Sequence, residues 1–374
     1  MAASDGTAGK RCVWFAGGGT GGHLYPGLAI ARALVRRDQT FAPFFIGARR
    51  GIEREVLPTT EFPHALLDLH PLYRRTPWNN WRTLRGAVRA WRDLSRVART
   101  APPIAVVGTG GYAAGVALAW ARAHGVPTIL HEPDSHPGMT TRAFAGGARA
   151  IYLGFPEATA HLVAPKGADV QALGAPIETP PVDRASRAEA RASWNLPAEA
   201  FVVLAVGGSQ GARALNEAMS DWCKAGLPEG VALIWATGKA QASSYLARES
   251  PMVRVRPYLN PIAHAYAAAD LAITRAGAMT IAELCAWGIP SVLVPLPTAA
   301  QDHQAHNADA VASGGAAIHL PQAQLSVERL NAIVGDLRDH PAKLETMRHD
   351  ARVRAKPNSA ADIASAMVAL LRGR

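Results

Sequence analysis

The sequence predicts an α/β protein of two Rossmann-like lobes, each a parallel sheet covered by helices. Short apolar runs of strand length alternate with longer helical patterns along the 374-residue chain, which is typical of parallel sheets. A glycine-rich segment follows the first predicted strand of each half. Between the halves, residues 174–181 are rich in proline and suit neither a helix nor a central strand, so they are the predicted linker.

The first lobe is predicted to span residues 1–178 and the second residues 179–357, with residues 358–374 packing back on the first lobe as a terminal helix. Ligands bind at the carboxyl ends of parallel strands, so two such lobes predict a cleft between them. The predicted strands of the first lobe are 12–16, 42–46, 104–107, 128–130 and 150–152. Those of the second are 201–206, 232–236, 252–256, 271–274, 291–294 and 316–319.

Charge and cysteine content limit the classes of function. Residues 1–180 hold 20 Lys/Arg against 12 Asp/Glu, and residues 181–374 hold 19 against 17. The basic surface is therefore expected on the first lobe, facing nucleic acid or an anionic bilayer. The three cysteines are far apart and lack a C-x-x-C pairing, which favours a reducing compartment without disulfides or structural zinc. We find no signal peptide or membrane span, so a cytoplasmic location is expected.

The first glycine-rich segment, residues 17–23, precedes a helical run predicted over residues 27–36. Glycines let the backbone approach a ligand, and free amides at a helix start bind negative charge. The spacing Gly17-x-Gly19-x-x-Gly22 also fits a dinucleotide fingerprint, which leaves an NADP-dependent oxidoreductase as an alternative. The second strand ends without the acid that binds the ribose of NAD. No Gly-Lys-Ser/Thr follows the segment, so a P-loop is excluded.

A similar glycine-rich segment, residues 207–213, opens the second half. A dinucleotide-binding domain needs only one glycine-rich segment at the start of a helix. Two such segments favour a protein that binds a diphosphate from one side and an acceptor from the other.

Six motifs occur in order along the chain. They are Gly18-Gly19-Thr20-Gly21-Gly22-His23, Gly108-Thr109-Gly110-Gly111-Tyr112, His131-Glu132, Gly207-Gly208-Ser209-Gln210-Gly211-Ala212, Arg275-Ala276-Gly277-Ala278-Met279-Thr280-Ile281-Ala282-Glu283 and Asp302-His303-Gln304. Over residue 17 to about 307, these motifs resemble those of the MurG family of bacterial UDP-N-acetylglucosamine transferases. The resemblance implies the GT-B fold and an inverting transfer, without metal or other cofactor, from UDP-N-acetylglucosamine to the 4-hydroxyl of the muramoyl sugar of lipid I. It also implies that the product is lipid II of peptidoglycan synthesis, made by a peripheral enzyme at the cytoplasmic face of the membrane.

The same resemblance implies roles for individual residues. Ser209 would contact the donor nucleotide, Leu259 would lie by the uracil, and Gln304 would reach the sugar hydroxyls. The carboxylate of Glu283 would accept the ribose hydroxyls. The remaining residues on the diphosphate and ribose would be Ala278, Met279, Thr280, Ile281 and Ala282, faced from the first lobe by Thr20, Gly21, Gly22 and His23. A helix start after Gly277 agrees with this, because its amides and dipole stabilise a leaving UDP.

Two residues compete for the role of general base. Inverting transfer needs the acceptor hydroxyl deprotonated as it attacks, and histidine titrates near neutral pH, so His23 is the predicted base. Glu132 is the alternative because it follows a strand of the same lobe. The structural alternatives are that His23 only caps the helix or binds phosphate, and that Glu132 is a buried partner of the loop.

Two positions depart from the family pattern. Asp134 stands where an amide is expected to touch the donor sugar, and Glu178 stands where an arginine would help to bind the donor. These departures leave open a UDP-sugar-binding protein without turnover.

A basic stretch, residues 74–99, has eight arginines and a single acid, Asp93. The arginines form one helical face beside a stripe made of Trp81, Leu84, Val88 and Trp91. Arginines beside tryptophans suit an interfacial helix on anionic lipid. The alternative is a stripe that packs on the sheet beneath solvated arginines. Nucleic acid is not expected as a partner, since no recognition motif accompanies the arginines.

Overall fold

The computed structural model describes residues 10–69, 80–181, 183, 185–208 and 212–373, without the side chains of 80–84. The chain divides into two compact units. Unit 1 is Met1–Ile177 with Asn358–Arg374, and unit 2 is Glu178–Pro357. The division falls within the proline-rich stretch 174–181, where the backbone cannot continue a helix.

The described part of unit 1 contains a seven-stranded sheet in the order β3-β2-β1-β4-β5-β6-β7, with every neighbouring pair parallel. The chain reverses its direction across the sheet between β1 and β4. The loops that follow these two strands therefore meet at a topological switch point, which is where ligands bind in such sheets. The strands are β1 Arg11–Ala16, β2 Phe41–Ala48, β3 His64–Leu67, β4 Ala105–Gly108, β5 Thr128–Glu132, β6 Ala150–Leu153 and β7 Asp169–Gln171.

Unit 2 repeats this plan with a six-stranded parallel sheet, in the order β10-β9-β8-β11-β12-β13 over the described residues. Its switch point lies between β8 and β11. The strands are β8 Phe201–Val206, β9 Val231–Ala236, β10 Val253–Arg256, β11 Leu271–Thr274, β12 Ser291–Leu293 and β13 Ala317–His319. Both sheets are predominantly buried because helices cover their two faces, as parallel sheets require.

The helices are α1 Gly21–Arg37, α2 Glu53–Val56, α3 Asn80–Thr100, α4 Gly111–Ala123, α5 Met139–Ala145, α6 Arg187–Ser193, α7 Arg213–Ala225, α8 Ala263–Ala268, α9 Ala278–Trp287, α10 His303–Ser313, α11 Val327–Asp339, α12 Pro341–Arg354 and α13 Ser359–Arg372. The terminal helix α13 shares a buried core with α1, through Ile363 and Met367 beside Leu34. Helices α3 and α4 cover the other face of the unit 1 sheet, through Leu94 and Leu118.

Helix α3 uses its predicted apolar stripe in two ways. Trp91 packs against the core, with its ring 5.9 Å from that of His124, whereas Val88 is 48% exposed. The side chains of Trp81 and Leu84 lie outside the described residues. The exposed face carries Arg85, Arg89, Arg92, Arg96 and Arg99. Among the described helices, none combines the length and the apolar character needed to cross a bilayer.

Candidate active site

The predicted site residues Thr20, Gly21, Gly22 and His23 of unit 1 lie at the switch point between β1 and β4. The Gly18 amide donates to the Gly110 carbonyl at 3.3 Å, and the Thr109 hydroxyl donates to the His23 carbonyl at 2.7 Å. The first turn of α1 is thereby tied to the loop after β4. This helix starts at Gly21, earlier than the predicted start at residue 27. The reason is that the amides of His23 and Leu24 already bond to the Thr20 carbonyl.

His23 is partly buried, and its ring lies against backbone. Its Nδ1 is 3.2 Å from the Gly18 carbonyl oxygen and 3.3 Å from the Thr20 hydroxyl. Gly110 has a φ of +104°, and a Cβ added to it would lie 2.6 Å from Cδ2 of His23. Glycine is therefore needed at this position for both its φ and its size. The glycine-rich loop and the loop after β4 therefore pack closely around the imidazole of His23.

Glu132 ends β5 and is only 3% exposed. Its carboxylate accepts the amide of Asp134 at 3.1 Å and the amide of Gly138 at 3.0 Å. Burial, together with the charge of Asp134, raises the pKa of Glu132 to about 7, against the lowering effect of the Thr141 side chain and the two amides. Glu132 therefore organises the loop that follows it and titrates near neutral pH.

The neighbouring His131 is 1% exposed, at the carboxyl end of the same strand. Burial lowers the pKa of His131 to about 4, and the charge of His23 lowers it as well, against the effects of the Gly174 backbone and Asp134. His131 is therefore neutral at physiological pH. An uncharged ring beneath the site adds no positive charge next to His23.

Unit 2 presents a helix start at its own switch point. Helix α9 begins at Ala278, directly after β11, with Gly277 in an extended conformation and no side-chain cap. The first-turn amides of a helix have no partner within the helix, so they are available to an anion. Met279, Thr280 and Ala282 are partly exposed, whereas Ala278 and Ile281 are buried. The anion-binding part of this predicted site is therefore the backbone of the first turn.

Arg275, just before this helix start, is part of the scaffold. Its guanidinium donates to the carbonyls of Val294 and Pro295, each at 3.1 Å, and to the Gln322 side chain at 2.7 Å. The buried Asn307 side chain donates to the Ala276 carbonyl at 3.2 Å. These bonds hold the loop between β11 and α9 against the segments that follow β12 and β13 and against α10.

Glu283 lies one turn into α9 and is partly buried. The Tyr266 hydroxyl donates to its carboxylate at 2.7 Å. Burial raises the pKa of Glu283, the bond from Tyr266 lowers it, and the charge of Glu178 raises it again. The departure at Glu178 thus puts a negative charge within electrostatic range of the predicted ribose-binding acid.

The other predicted donor residues take different positions in unit 2. Leu259 is 6% exposed and belongs to the same buried cluster as Tyr266, so its side chain is a core residue. Gln304 uses its side-chain oxygen to accept the Leu296 amide at 3.0 Å, which leaves its NH2 group for hydroxyl acceptors. Ser209 lies outside the described residues.

Backbone strain marks the segment before Gln304. Gln301 and Asp302 have φ angles of +56° and +51°, in the left-handed region that few residues other than glycine adopt. Such strain persists where the surrounding structure enforces it and is concentrated at functional sites. Asp302 belongs to the predicted motif Asp302-His303-Gln304, but the left-handed backbone of Gln301 and Asp302 has no signal in the sequence.

One buried acid of unit 1 is not predicted by the sequence. Arg49 and Arg50 follow β2, where a ribose-binding acid would be expected, yet Glu53 in α2 is completely buried beneath the glycine-rich loop. Its Oε1 accepts the amide of Gly19 at 2.9 Å. An isolated Glu in a short helix gives no sequence signal for such a contact.

The predicted site residues thus form two groups. Thr20, Gly21, Gly22 and His23 share unit 1 with Glu132 and Asp134, and the predicted donor residues belong to unit 2. Comparison with known families matches each half separately. Residues 13–153 match the glycosyltransferase family 28 N-terminal domain, and residues 202–367 match the C-terminal domain of the same family. The chain belongs to glycosyltransferase family 28.

Curated relatives within family 28 cover nearly the whole chain. One from Moorella thermoacetica is 39% identical over 93% of this chain and 95% of its own length. One from Carboxydothermus hydrogenoformans is 35% identical over 96% and 97%. Both are named UDP-N-acetylglucosamine--N-acetylmuramyl-(pentapeptide) pyrophosphoryl-undecaprenol N-acetylglucosamine transferase.

Solved structures confirm the predicted GT-B fold. The crystal structure of Acinetobacter baumannii MurG is 28% identical, with a TM-score of 0.74 over 96% of this chain and 99% of that one. The calicheamicin glycosyltransferase CalG4 is 18% identical, with a TM-score of 0.67 over 96% and 98%, a likeness of fold alone. This family 28 protein is therefore a glycosyltransferase, and the NADP-dependent oxidoreductase considered from the glycine spacing is set aside.

Proposed function

We propose that this family 28 enzyme moves N-acetylglucosamine from UDP-N-acetylglucosamine to the 4-hydroxyl of the muramoyl sugar of undecaprenyl-pyrophosphoryl-MurNAc-pentapeptide. This is the conversion of lipid I to lipid II in peptidoglycan synthesis. The observation that carries the proposal is the identity of 33–39% over more than nine-tenths of the chain to transferases named for this reaction.

Unit 2 is the proposed donor-binding unit. The first-turn amides of α9, over Ala278, Met279 and Thr280, bind the diphosphate, because a helix N-terminus favours negative charge. Glu283 accepts the ribose hydroxyls, and its bond from Tyr266 supports this role by keeping the carboxylate in one orientation. The NH2 group of Gln304 donates to the sugar hydroxyls. The backbone amides thereby stabilise the charge that develops on the departing UDP, while Glu283 and Gln304 hold its ribose and the sugar.

His23 of unit 1 is the proposed general base. It removes the proton from the acceptor hydroxyl as the oxygen attacks the anomeric carbon, and UDP leaves from the opposite face. Glu132 is a weaker candidate. Its carboxylate is 3% exposed and already accepts two backbone amides, so organising the loop at Asp134 explains its contacts without a proton transfer.

The exposed face of α3 is the proposed membrane contact. Its arginines lie on the unit that carries most of the excess positive charge, and the acceptor of this reaction carries a polyprenyl chain. A basic helix face binds anionic headgroups with about 1 kcal/mol for each arginine near the surface. We therefore propose a peripheral location at the cytoplasmic face of the cell membrane, with lipid and not nucleic acid as the anionic partner.

Incubation with UDP-N-acetylglucosamine and a lipid I analogue tests the function directly. The expected product is the lipid-linked disaccharide, identified by mass spectrometry together with release of UDP. Binding of UDP without a disaccharide would instead support the non-catalytic UDP-sugar-binding alternative. Binding of NADPH without a response to UDP would contradict both.

A further inference from the structure

Glu53 is a buried carboxylate that the proposed reaction does not use. It begins α2 and has no exposed surface. Its Oε1 accepts the backbone amides of Gly19 at 2.9 Å and Ala48 at 3.3 Å, while Oε2 has no hydrogen-bond partner among the described residues. Burying a carboxylate oxygen that has no hydrogen-bond partner is unfavourable, so the presence of Glu53 at this position requires an explanation.

Three glycines make room for this side chain. A Cβ added to Gly18 would lie 1.6 Å from Oε1 of Glu53, and one added to Gly51 would lie 1.9 Å from Oε2. A Cβ added to Gly47 would lie 2.9 Å from the Cβ of Glu53. The glycine-rich loop and the end of β2 therefore close around the carboxylate. Position 18 needs a glycine because of its contact with Glu53 and not because of its backbone conformation, since Gly18 is not among the glycines with positive φ.

One peptide group connects Glu53 to His23. The N–H of the Gly18–Gly19 peptide donates to Glu53, and the C=O of the same peptide lies 3.2 Å from Nδ1 of His23. A trans peptide is rigid and points its C=O and N–H in opposite directions. Glu53 on one side and His23 on the other therefore contact the two ends of a single plane, and fixing the N–H also fixes the carbonyl.

The carbonyl selects one tautomer of the imidazole. A carbonyl oxygen only accepts, so its contact with Nδ1 is a hydrogen bond when Nδ1 carries the proton, and Nε2 then keeps its lone pair. The Thr20 hydroxyl, 3.3 Å from the same nitrogen, can donate or accept and so selects neither form. Orientation of a histidine by its other ring nitrogen is a recurring device in catalytic sites.

We propose that Glu53 is a positioning residue, which holds His23 in the Nδ1–H tautomer through the Gly18–Gly19 peptide and so leaves Nε2 to accept the proton of the acceptor hydroxyl. This inference rests on the proposed role of His23 as the base. Glu53 itself touches neither substrate.

The experiment measures the tautomer and the kinetics in parallel. Two-bond 1H–15N correlation spectra of 15N-histidine protein, with His23 assigned by its absence in His23→Ala, report which ring nitrogen carries the proton. We expect Nδ1–H in the wild type and in Glu55→Leu, an exposed control on the same helix. Glu53→Leu is expected to lose the preference, and Glu53→Gln, which retains an acceptor oxygen, to recover it in large part. In Glu53→Leu we expect kcat about 100-fold lower, from misorientation of the base.

The KM for the donor is expected to change by less than about threefold in Glu53→Leu, because the interaction concerns a base and not donor binding. A wild-type spectrum with the proton on Nε2 would overturn the proposal even if no variant folds. A folded Glu53→Leu protein with unchanged tautomer and kcat would overturn it too. The spectra need no substrate, so an absence of transfer by the wild type would contradict the proposed function and leave the tautomer measurement intact.

Discussion

The Tyr266 hydroxyl donates to the Glu283 carboxylate at 2.7 Å, across two helices of unit 2. Tyr266 is 4% exposed, and burial raises the pKa of its hydroxyl well above the ordinary value, so it remains a donor at any physiological pH. The bond is charge-assisted and lies in a partly buried setting, where such bonds are strong. It both orients Glu283 and favours its ionised form.

Replacement of Tyr266 by Phe removes that donor without removing the ring. The pKa of Glu283, already raised by burial, rises further, and the carboxylate accepts ribose hydroxyls less well. We expect UDP to bind about 10- to 150-fold more weakly, the equivalent of one hydrogen bond to a charged group. Calorimetric titration with UDP measures this, with Tyr245→Phe in the same unit as a control. Equal UDP affinity in Tyr266→Phe and wild type would refute the role of Glu283.

Removal of the proposed base should separate chemistry from donor binding. His23→Ala is expected to lower kcat by about 10²- to 10⁴-fold, the usual contribution of a general base. UDP affinity should stay within about twofold, because the proposed donor contacts are all in unit 2 and the substitution removes none of them. His64→Ala, on a strand of the same unit, is the control. Unchanged turnover in His23→Ala would exclude this histidine as the base.

The fold was accessible from sequence because parallel strands buried on both faces are short apolar runs. Strands such as β8 and β11 have the predicted bounds. The missed strands, β3 and β7, are the two edges of the unit 1 sheet. Edge strands are covered less completely, so they need fewer apolar residues, and Asp169–Gln171 gives no apolar run.

The candidate site was only partly accessible. Glycine-rich loops after strands are a local pattern, and they mark the backbone that meets a ligand. Contacts that fix a side chain are not local: Thr109 and His23 are 86 positions apart, and Gly19 and Glu53 are 34 apart. No spacing rule relates such pairs, because the sheet order brings them together. Residues that position others are therefore harder to predict than residues that bind.

The raised pKa of Glu132 predicts a pH dependence of stability. Its value of about 7 lies above the ordinary 4.5, so the folded protein binds the proton more tightly than the unfolded chain. The resulting stabilisation is fully present below pH 4.5 and is lost as pH rises through 7. Glu132→Gln removes this pH-dependent stabilisation. Between pH 5 and 8, we expect the difference in unfolding free energy between wild type and Glu132→Gln to change by about 2 kcal/mol, with the variant relatively more stable at pH 8.

Urea unfolding of both proteins at several pH values measures this difference. Hydrogen bonds lost in the variant, such as that from the Gly138 amide, change the difference in unfolding free energy by the same amount at every pH. They therefore do not affect how that difference varies with pH. A difference that does not vary between pH 5 and 8 would mean that Glu132 is ionised throughout this range.

The arginines of α3 predict a salt-dependent affinity for anionic vesicles. Arg89→Gln/Arg92→Gln removes two charges from its exposed face. At about 1 kcal/mol per arginine, binding to vesicles that contain phosphatidylglycerol should weaken about 30-fold. Arg36→Gln/Arg37→Gln makes the same change in net charge on exposed residues of α1. Co-sedimentation that falls equally in both variants would show attraction by net charge and not by α3.

Substitution of Gly110 provides the most direct test of whether the position of the His23 imidazole sets the rate. Its φ of +104° strains any other residue, and a Cβ there would lie 2.6 Å from Cδ2 of His23. Gly110→Ala should therefore move the imidazole in the folded protein. We expect kcat to fall about 100-fold, as displacement of a catalytic group by an ångström does, with UDP affinity unchanged.

Gly125 supplies the matched control, because it also has a positive φ, +67°, while a Cβ there meets nothing within 4 Å. Gly125→Ala should lose about 1–2 kcal/mol of stability from the backbone alone and keep its kcat. Stability of both variants is measured by thermal unfolding, and kcat is taken per folded molecule. If the two substitutions lower kcat equally, backbone strain explains the loss. If only Gly110→Ala lowers it, the position of the His23 ring sets the rate.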